Sequence, residues 1–407
     1  MTITPSKQSE EYLEALVEEL EIPPSRYKAA EARYKSLGDW LHREDSKVRD
    51  YDPDVYVQGS FKLGTAIKPQ SKDEEYDVDC VCSLVKMSKV ELSQLNLKTL
   101  VGDEVKLYRA ANGIKDGVRE GRRCWTLNYS ESAQFHLDVV PAIPNENDQR
   151  VLLEASSLDA SYAKTAIAIT DNEVLPEYEI ITENWPRSNP RGYAEWFKER
   201  MGSEYIRRRD IILNEMQGSN PSMSVEDIPT YQVRTPLQSA IMLLKHHRDN
   251  MFSDESDSKN KPISVIISTL AAKSYNNETT IGQALLSILS NMKNHIEYYG
   301  GRAVIKNPTD GLENFADKWE EFPERQVAFF DWLQQAQIDF NQAAVLTEND
   351  KISGALKNNM GETLTQKARN RLGGSLLATA TSVGASTTPS VAFGETPRTP
   401  KKPEGFA

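Results

Sequence analysis

The spacing of apolar residues predicts two helices at the start of the chain. Tyr12, Leu16 and Leu20 recur at helical intervals, Pro23–Pro24 interrupts the pattern, and a second apolar stripe of the same period follows. We therefore expect two helices within residues 10–44, before the first strand.

Alternation of apolar and polar residues predicts strands in the next part of the chain. The segments lie at residues 55–57 and 76–81 and at 105–110, 125–129 and 134–140, and glycine, asparagine or proline bounds each of the last three. After about residue 186 the period becomes helical and predicts helices at residues 191–201, 236–249, 264–275, 281–292, 312–320 and 323–344. The pattern predicts an α+β fold, in which a mixed sheet with flanking helices precedes a helical lobe.

A change of composition marks the end of the packed chain. From Gly373 onward the sequence is rich in Gly, Ala, Ser, Thr and Pro and has too few large apolar residues to form a core. We predict three parts: a catalytic core with the N-terminal helices at residues 1–186, a helical lobe at 187–372, and a disordered tail at 373–407.

Charge and composition narrow the class of partner and the compartment. The net charge is -12, which argues against a long nucleic-acid template. No apolar run approaches the roughly 20 residues of a membrane span, and the N-terminus lacks the apolar segment of a secretory signal. The chain has three cysteines, an odd number and too few for a disulfide framework, which is typical of a reducing compartment. We expect a cytoplasmic protein with no membrane contact and no template.

Three aspartates form the candidate catalytic group. On a strand, Asp77 and Asp79 share one face about 7 Å apart, and Asp138 alternates with apolar residues on a second predicted strand. Carboxylates without a nearby His or Cys ligand set suit two Mg²⁺ or Mn²⁺ ions bound together with substrate phosphates. Asp77 and Asp79 are expected to bridge both ions, while Asp138 holds the ion at the attacking hydroxyl and helps to remove its proton.

A glycine–serine pair decides between catalysis and a solvated acidic strand. Alternating acids alone are more typical of an exposed edge strand. Gly59–Ser60, however, provides a turn in which backbone N–H groups and a hydroxyl can hold a phosphate, and Lys62 and Lys68 make its surroundings basic. Together these features favour phosphoryl transfer to or from nucleotides.

These motifs resemble those of the DNA polymerase beta nucleotidyltransferase superfamily. More closely, the segments at 58–69 and 76–79 resemble the bacterial CD-NTases, the cGAS/DncV-like nucleotidyltransferases. The likeness continues through the segments at 135–141, 188–197, 235–248 and 261–270, although the stretch from 61 to 76 is longer than in many polymerase-beta-like members. The resemblance implies a two-lobed enzyme with a polymerase-beta-like core.

The resemblance also implies nucleotide-binding residues and a product. Gln58 belongs to the matching glycine–serine motif, and Lys245 and Ser264 are candidates for binding the donor triphosphate, against the alternatives of a solvated lysine and an ordinary helix cap. The implied activity joins ATP, GTP or other nucleoside triphosphates into a cyclic di- or trinucleotide second messenger in CBASS antiphage defence. An effector activated by the cyclic nucleotide would act downstream.

Two alternatives share the three acids. One is a toxin-like nucleotidyltransferase that adenylylates a protein or RNA, and the other is an interaction module that has lost catalysis. The tail is the remaining feature: some CBASS systems contain ubiquitin-transfer-like enzymes that act on the C-terminus of the CD-NTase, which makes Ala407 a candidate for modification.

Overall fold

The structure is a computed structural model that describes residues 3–69, 76–129, 135–219, 232–254 and 258–382. Part of the long stretch between 61 and 76 lies outside the described residues, as does Ala407 with the rest of the chain after Ser382. No helix in the described ranges has the length and apolarity needed to cross a membrane.

The N-terminal half alternates helices and strands. Its elements are α1 (Lys7–Leu20), α2 (Pro24–Leu41), β1 (Pro53–Val57), α3 (Gly59–Leu63), β2 (Tyr76–Leu84), α4 (Gln94–Ala111), β3 (Arg119–Glu120), β4 (Trp125–Asn128), β5 (Phe135–Pro144), α5 (Glu146–Ala155), β6 (Ile167–Ile169) and β7 (Arg187–Ser188). The predicted strands at 55–57, 76–81, 125–129 and 134–140 are confirmed to within a few residues.

The C-terminal half is mainly helical. It contains α6 (Pro190–Ser219), α7 (Pro236–Met251), α8 (Ser264–Ser274), α9 (Ile281–Asn291), α10 (Lys318–Glu321), α11 (Pro323–Ala344), α12 (Asn349–Met360) and α13 (Glu362–Ser382). Two small hairpins interrupt it, β8 (Glu297–Tyr299) with β9 (Arg302–Val304), and β10 (Lys306–Asn307) with β11 (Asp310–Asn314). The mixed sheet and the helical lobe confirm the predicted α+β class.

One mixed sheet holds strands β1 to β7. Its main order is β1-β2-β5-β4-β3, with β6 on the far end of β5 and β7 beside β6. Strands β2 and β5 are parallel neighbours at its centre, and the other pairs are antiparallel. Helices α2 and α4 cover one face of the sheet. The approach of α4 is close, because a Cβ atom on Gly102 would lie 2.3 Å from the Trp125 ring.

The helical lobe has its own core, built around α7. Trp332 and Phe329 of α11 are fully buried there. A buried Asp339 carboxylate on α11 faces His247 Nε2 of α7 at 3.0 Å and accepts hydrogen bonds from the Gln335 and Asn359 amides, each 2.7 Å long. Because its lone pairs are satisfied, this acid can stay in an apolar interior.

The two N-terminal helices pack in different places. The apolar stripe of α1, including Tyr12 and Leu16, is buried in the helical lobe, whereas α2 packs against the sheet through Tyr27 and Leu37. Helix α1 therefore lies with elements that follow it by more than two hundred residues, while the predicted first part, residues 1–186, groups it with the sheet.

Two predicted elements are wrong, and the predicted start of the tail differs from the end of the last helix. Residues 105–110, predicted as a strand, belong to α4, in which Val101, Val105 and Tyr108 form a buried helical stripe. Residues 312–320, predicted as a helix, contain the end of β11 and only the short α10. Near the predicted tail, α13 continues past Gly373 to Ser382.

Candidate active site

The register of the central strands brings the three acids together. Asp79 on β2 is the direct partner of Asp138 on β5, and Asp77 lies two residues before Asp79 on the same strand. Along β2 the acids alternate with buried Val78 and Cys80, as predicted, because successive side chains of a strand point to opposite faces. The two predicted strands are therefore neighbours, and the acids share one face of the sheet.

Asp79 occupies the most crowded position of the three. Burial, followed by the negative charges of Asp138 and Asp77, raises the pKa of its carboxyl to about 6. An ionised carboxylate there is costly because it is both desolvated and surrounded by like charge. The position is suited to a bound cation, which would compensate both effects.

Hydrogen bonds hold the two flanking acids. Asp77 forms an ion pair with His136 of β5, which lowers the pKa of the carboxyl. Asp138 Oδ1 accepts a hydrogen bond of 2.6 Å from the hydroxyl of Thr126, its partner on β4. Neither Thr126 nor the His136 pairing was predicted, because each depends on which strands are adjacent.

The glycine–serine turn lies directly on the acidic strand. The Gln58 N–H donates to the Asp79 carbonyl at 2.8 Å, and α3 begins at Gly59. Gly59 has φ +63°, and a Cβ atom at this position would lie 2.6 Å from Asp79 Oδ2. Only glycine satisfies both the left-handed backbone and the close approach. The turn and the acids therefore form one unit, with Ser60 in the same cleft.

A cleft of about 1320 Å³ extends from this unit to the helical lobe. The predicted residues Gln58, Gly59, Ser60, Asp77, Asp79, Lys245 and Ser264 all line it, whereas Asp138 is not among the lining residues. Its basic lining residues are Lys62, Lys68, Lys245, Arg248, Lys259, Lys261 and Arg325, and its acidic ones are Asp77, Asp79, Asp249 and Glu313. The cleft is thus locally basic in a chain of net charge -12, as an anionic ligand requires.

Lys245 and Ser264 face this cleft from two helices. Lys245 Nζ donates to the Thr65 carbonyl at 3.0 Å, and burial with the repulsion of Arg248 lowers the pKa of its ammonium to about 8. Ser264 is the first residue of α8, whereas Ile263 is the cap. Arg248 Nη1 donates to Ser264 Oγ at 2.9 Å. Arg248, which was not predicted, therefore connects the two helices at the cleft.

The hairpin of β10 and β11 supplies a polar wall that sequence reasoning missed. Asn307 Nδ2 donates to Glu313 Oε2 at 2.6 Å, and the Thr309 N–H donates to Asn307 Oδ1 at 2.9 Å, which fixes the amide. Tyr193 and Phe315, whose ring centroids are 6.5 Å apart, line the same cleft as this pair. A helix was predicted over residues 312–320, so no signal pointed to Glu313.

The comparisons with known proteins agree with this site. Residues 53–141, which contain the turn and all three acids, match the family model described as "Cyclic GMP-AMP synthase DncV-like, nucleotidyltransferase domain". A protein of Roseivirga ehrenbergii named c-di-GMP synthase is 29% identical over 394 residues, covering 93% of this chain and 94% of that protein. These matches support a bacterial CD-NTase, and the chain is a nucleotidyltransferase.

Solved structures of CD-NTases share the fold over nearly the whole chain. The structure of Bradyrhizobium diazoefficiens CdnG in complex with GTP has a TM-score of 0.65 at 19% identity and covers 90% of this chain and 99% of that one. Vibrio cholerae DncV cyclic AMP-GMP synthase, in complex with a linear intermediate, has a TM-score of 0.57 at 13% identity, with 90% and 98% covered. At these identities the likeness concerns the fold.

The carboxylate oxygens of Asp77, Asp79 and Asp138 are the kind of ligand that a hard divalent cation prefers. Within the described ranges no three His, Cys, Asp or Glu side chains are already arranged to hold a metal ion. Asp77 instead contacts His136, and Asp138 contacts Thr126. The raised pKa of Asp79 nevertheless indicates a need for positive charge, and carboxylate oxygens are what Mg²⁺ and Mn²⁺ prefer.

We expect Gly59→Ala to reduce nucleotidyl transfer by about a hundredfold, since the new methyl group must displace Asp79 or the turn. Gly113→Ala is the matched control: Gly113 also has φ +63°, but a Cβ atom there would meet nothing within 4 Å. Both variants carry the same backbone strain of about 1–2 kcal/mol. Pyrophosphate release and thermal unfolding are measured for both. Equal activities would contradict the proposed contact.

Asp79→Asn should stabilise the chain in a pH-dependent way in chelator-treated buffer. Folding raises the pKa of Asp79 from 3.8 to about 6, so its protonated form favours the folded state at low pH, and this contribution is lost as the pH rises through about 6. The neutral variant should therefore be more stable than the wild type near neutral pH, and the difference should vanish below pH ~3.5. Urea unfolding measures the difference, and a difference that does not vary with pH would refute the expectation.

Proposed function

We propose that this CD-NTase joins nucleoside triphosphates, including GTP, into a cyclic di- or trinucleotide and releases pyrophosphate. The observation that carries the proposal is the one cleft in which Gly59–Ser60, Asp77 and Asp79 meet the cations of the helical lobe. The names of its relatives, a c-di-GMP synthase and the cyclic dinucleotide synthase CdnG, support a cyclic product. We assign catalysis to the core within residues 1–186 and completion of the nucleotide pocket to the lobe within 187–372.

Each nucleotidyl transfer forms one phosphodiester bond. A ribose hydroxyl oxygen attacks the α-phosphorus of the donor, the bond to the bridging oxygen breaks, pyrophosphate leaves, and the hydroxyl proton passes to Asp138 or to water. Gln58, Gly59 and Ser60 hold the donor phosphates from the sheet side, and Lys245 and Ser264 hold them from the helical side. For a cyclic dinucleotide, a second reaction with the roles of donor and acceptor exchanged closes the ring and releases the second pyrophosphate, and a cyclic trinucleotide needs one more addition before closure.

We assign two Mg²⁺ or Mn²⁺ ions to Asp77, Asp79 and Asp138. Such ions lower the pKa of the attacking hydroxyl and neutralise charge on the leaving pyrophosphate. Asp79 and Asp138 are adjacent in register, and Asp77 would have to exchange its contact with His136 for the cation. The crowded charge at Asp79 supports this assignment.

The decisive experiment is incubation of the purified chain with Mg²⁺ and the four nucleoside triphosphates, followed by mass spectrometry. We expect cyclic products from the wild type and none from Asp77→Asn combined with Asp79→Asn, whose thermal stability should be retained. Asp331→Asn, which changes an exposed acid on α11, is the control and should remain active. Only linear products would contradict cyclisation. Transfer of label from ATP to a protein or RNA would favour the toxin-like alternative.

We propose that Glu313 reads the base of a bound guanine nucleotide. It lines the cleft together with Tyr193 and Phe315, and its carboxylate accepts a hydrogen bond from Asn307. Guanine presents two adjacent N–H donors on its Watson–Crick edge, which one carboxylate can accept together, whereas adenine presents a donor beside an acceptor. The wall therefore favours guanine over adenine.

Glu313→Gln should shift the base preference from GTP toward ATP by about tenfold or more, because glutamine offers one acceptor and one donor. The measurement is kcat/KM for incorporation of each base from an equimolar mixture. Glu320→Gln, at an exposed acid on α10, is the control and should leave the preference unchanged. An unchanged preference in Glu313→Gln would assign base reading to other residues.

In the cell, we propose a role in CBASS antiphage defence in the cytoplasm, with an effector activated by the cyclic product. A ubiquitin-transfer-like enzyme would act on Ala407. The match of this chain to the CD-NTase family model supports these assignments. The mass of the intact protein recovered from phage-challenged host cells checks the tail: an unmodified C-terminus under every condition would remove that part of the proposal.

A further inference from the structure

The short helix α3 is held at its far end by the helical lobe. It has only five residues, and Gly64, with φ +67°, ends it in a left-handed turn. The carbonyl oxygens of Leu63, Gly64 and Thr65 follow in succession at this end. Terminal carbonyls of a helix lack partners within the helix and must find donors elsewhere.

Two side chains of α7 and one from the residue before its N-cap supply those donors. Gln238 Nε2 donates to the Leu63 carbonyl at 2.9 Å, and Arg234 Nη1 donates to the Gly64 carbonyl at 2.8 Å. Lys245 Nζ donates to the Thr65 carbonyl at 3.0 Å. The three successive carbonyls at the end of α3 thus accept hydrogen bonds from α7 and from Arg234, which precedes it, in the helical lobe.

The donors are themselves fixed. Gln238 is fully buried, and its Oε1 accepts from the Thr235 N–H at 2.8 Å as part of the capping box of α7. Because the amide oxygen is held by the cap, the amide nitrogen must point toward Leu63. Arg234 is held through Nε, which lies 2.9 Å from a carboxylate oxygen of Glu21.

The other end of α3 carries the glycine–serine turn. There the Gln58 N–H bonds to the Asp79 carbonyl, and Gly59 lies against the Asp79 carboxylate. A helix of this length spans about 7 Å, so a shift at its far end moves the turn relative to the acids. The sheet fixes one end of α3, and the helical lobe fixes the other.

We propose that Arg234 and Gln238 are positioning residues that set the Gly59–Ser60 turn against Asp79 from the helical lobe. The inference rests on the proposed nucleotide chemistry of that turn. Neither residue lines the cleft, so each acts through the carbonyls of α3 and not by touching substrate. Lys245 also donates to a carbonyl that follows α3, that of Thr65, but unlike Arg234 and Gln238 it lines the cleft itself.

The test is steady-state kinetics of Arg234→Met, Arg234→Lys and Gln238→Met with GTP and Mg²⁺. We expect the KM for GTP to rise about tenfold in both methionine variants, because the turn no longer meets the phosphates correctly, and to recover in part in Arg234→Lys. Arg200→Met is the matched control, since Arg200 also donates to carbonyls at a helix end, those of Ala272 and Tyr275, and its described hydrogen bonds do not reach α3.

A purely structural role would lower the melting temperature and the active fraction of Arg234→Met while leaving KM within about twofold of the wild type, and that result would overturn the proposal. Binding of a GTP analogue with a methylene group between its α- and β-phosphates, which cannot react, tests the positioning role separately from the proposed catalytic function. If the wild type makes no product, the proposed function fails, but weaker analogue binding by Arg234→Met than by Arg200→Met still supports positioning. Equal binding overturns it.

Discussion

The crowding of carboxylates at Asp79 is the constraint on which the rest of the site depends. Parallel pairing of β2 and β5 places Asp79 beside Asp138, and burial raises the pKa of Asp79 to about 6. Such an arrangement costs free energy in the absence of a compensating charge. The position therefore favours a compensating positive charge, and the close approach of Gly59 places the glycine–serine turn beside it.

The electrostatics of the cleft differ from those of the whole chain. The net charge of -12 argues against binding along a nucleic-acid backbone, while the basic lining of the cleft favours a small, highly charged anion. Lys245 and Arg248 are buried cations that line the cleft. Burial strengthens the attraction of such a charge for an anion relative to that on an open surface.

Helix α7 links the two lobes through chemically different faces. Lys245 and Gln238 reach toward α3 and the cleft, while His247 bonds to Asp339 in the interior of the helical lobe. The helix thus transmits the packing of the lobe to the turn beside the acids. Helix α1 strengthens the same lobe from the opposite end of the sequence.

The sequence alone determined the period of most elements and the identity of the principal charged groups. Alternation placed Asp77 and Asp79 on one face, and the left-handed turn at Gly59 is a property that glycine makes available locally. The family motifs lie in the same short segments. These features depend on neighbours within a few residues, so local patterns were sufficient to find them.

Only the tertiary structure decided what these groups face. Residues 105–110 alternate like a strand but are helical because a stripe from Val101 to Tyr108 packs on the sheet, and residues 312–320 enter a hairpin whose Glu313 meets the cleft. Thr126, Arg248 and Arg234 acquire their roles from partners that lie between 12 and 170 residues away in sequence. Strand register and helix packing set such distances, and no local pattern encodes them.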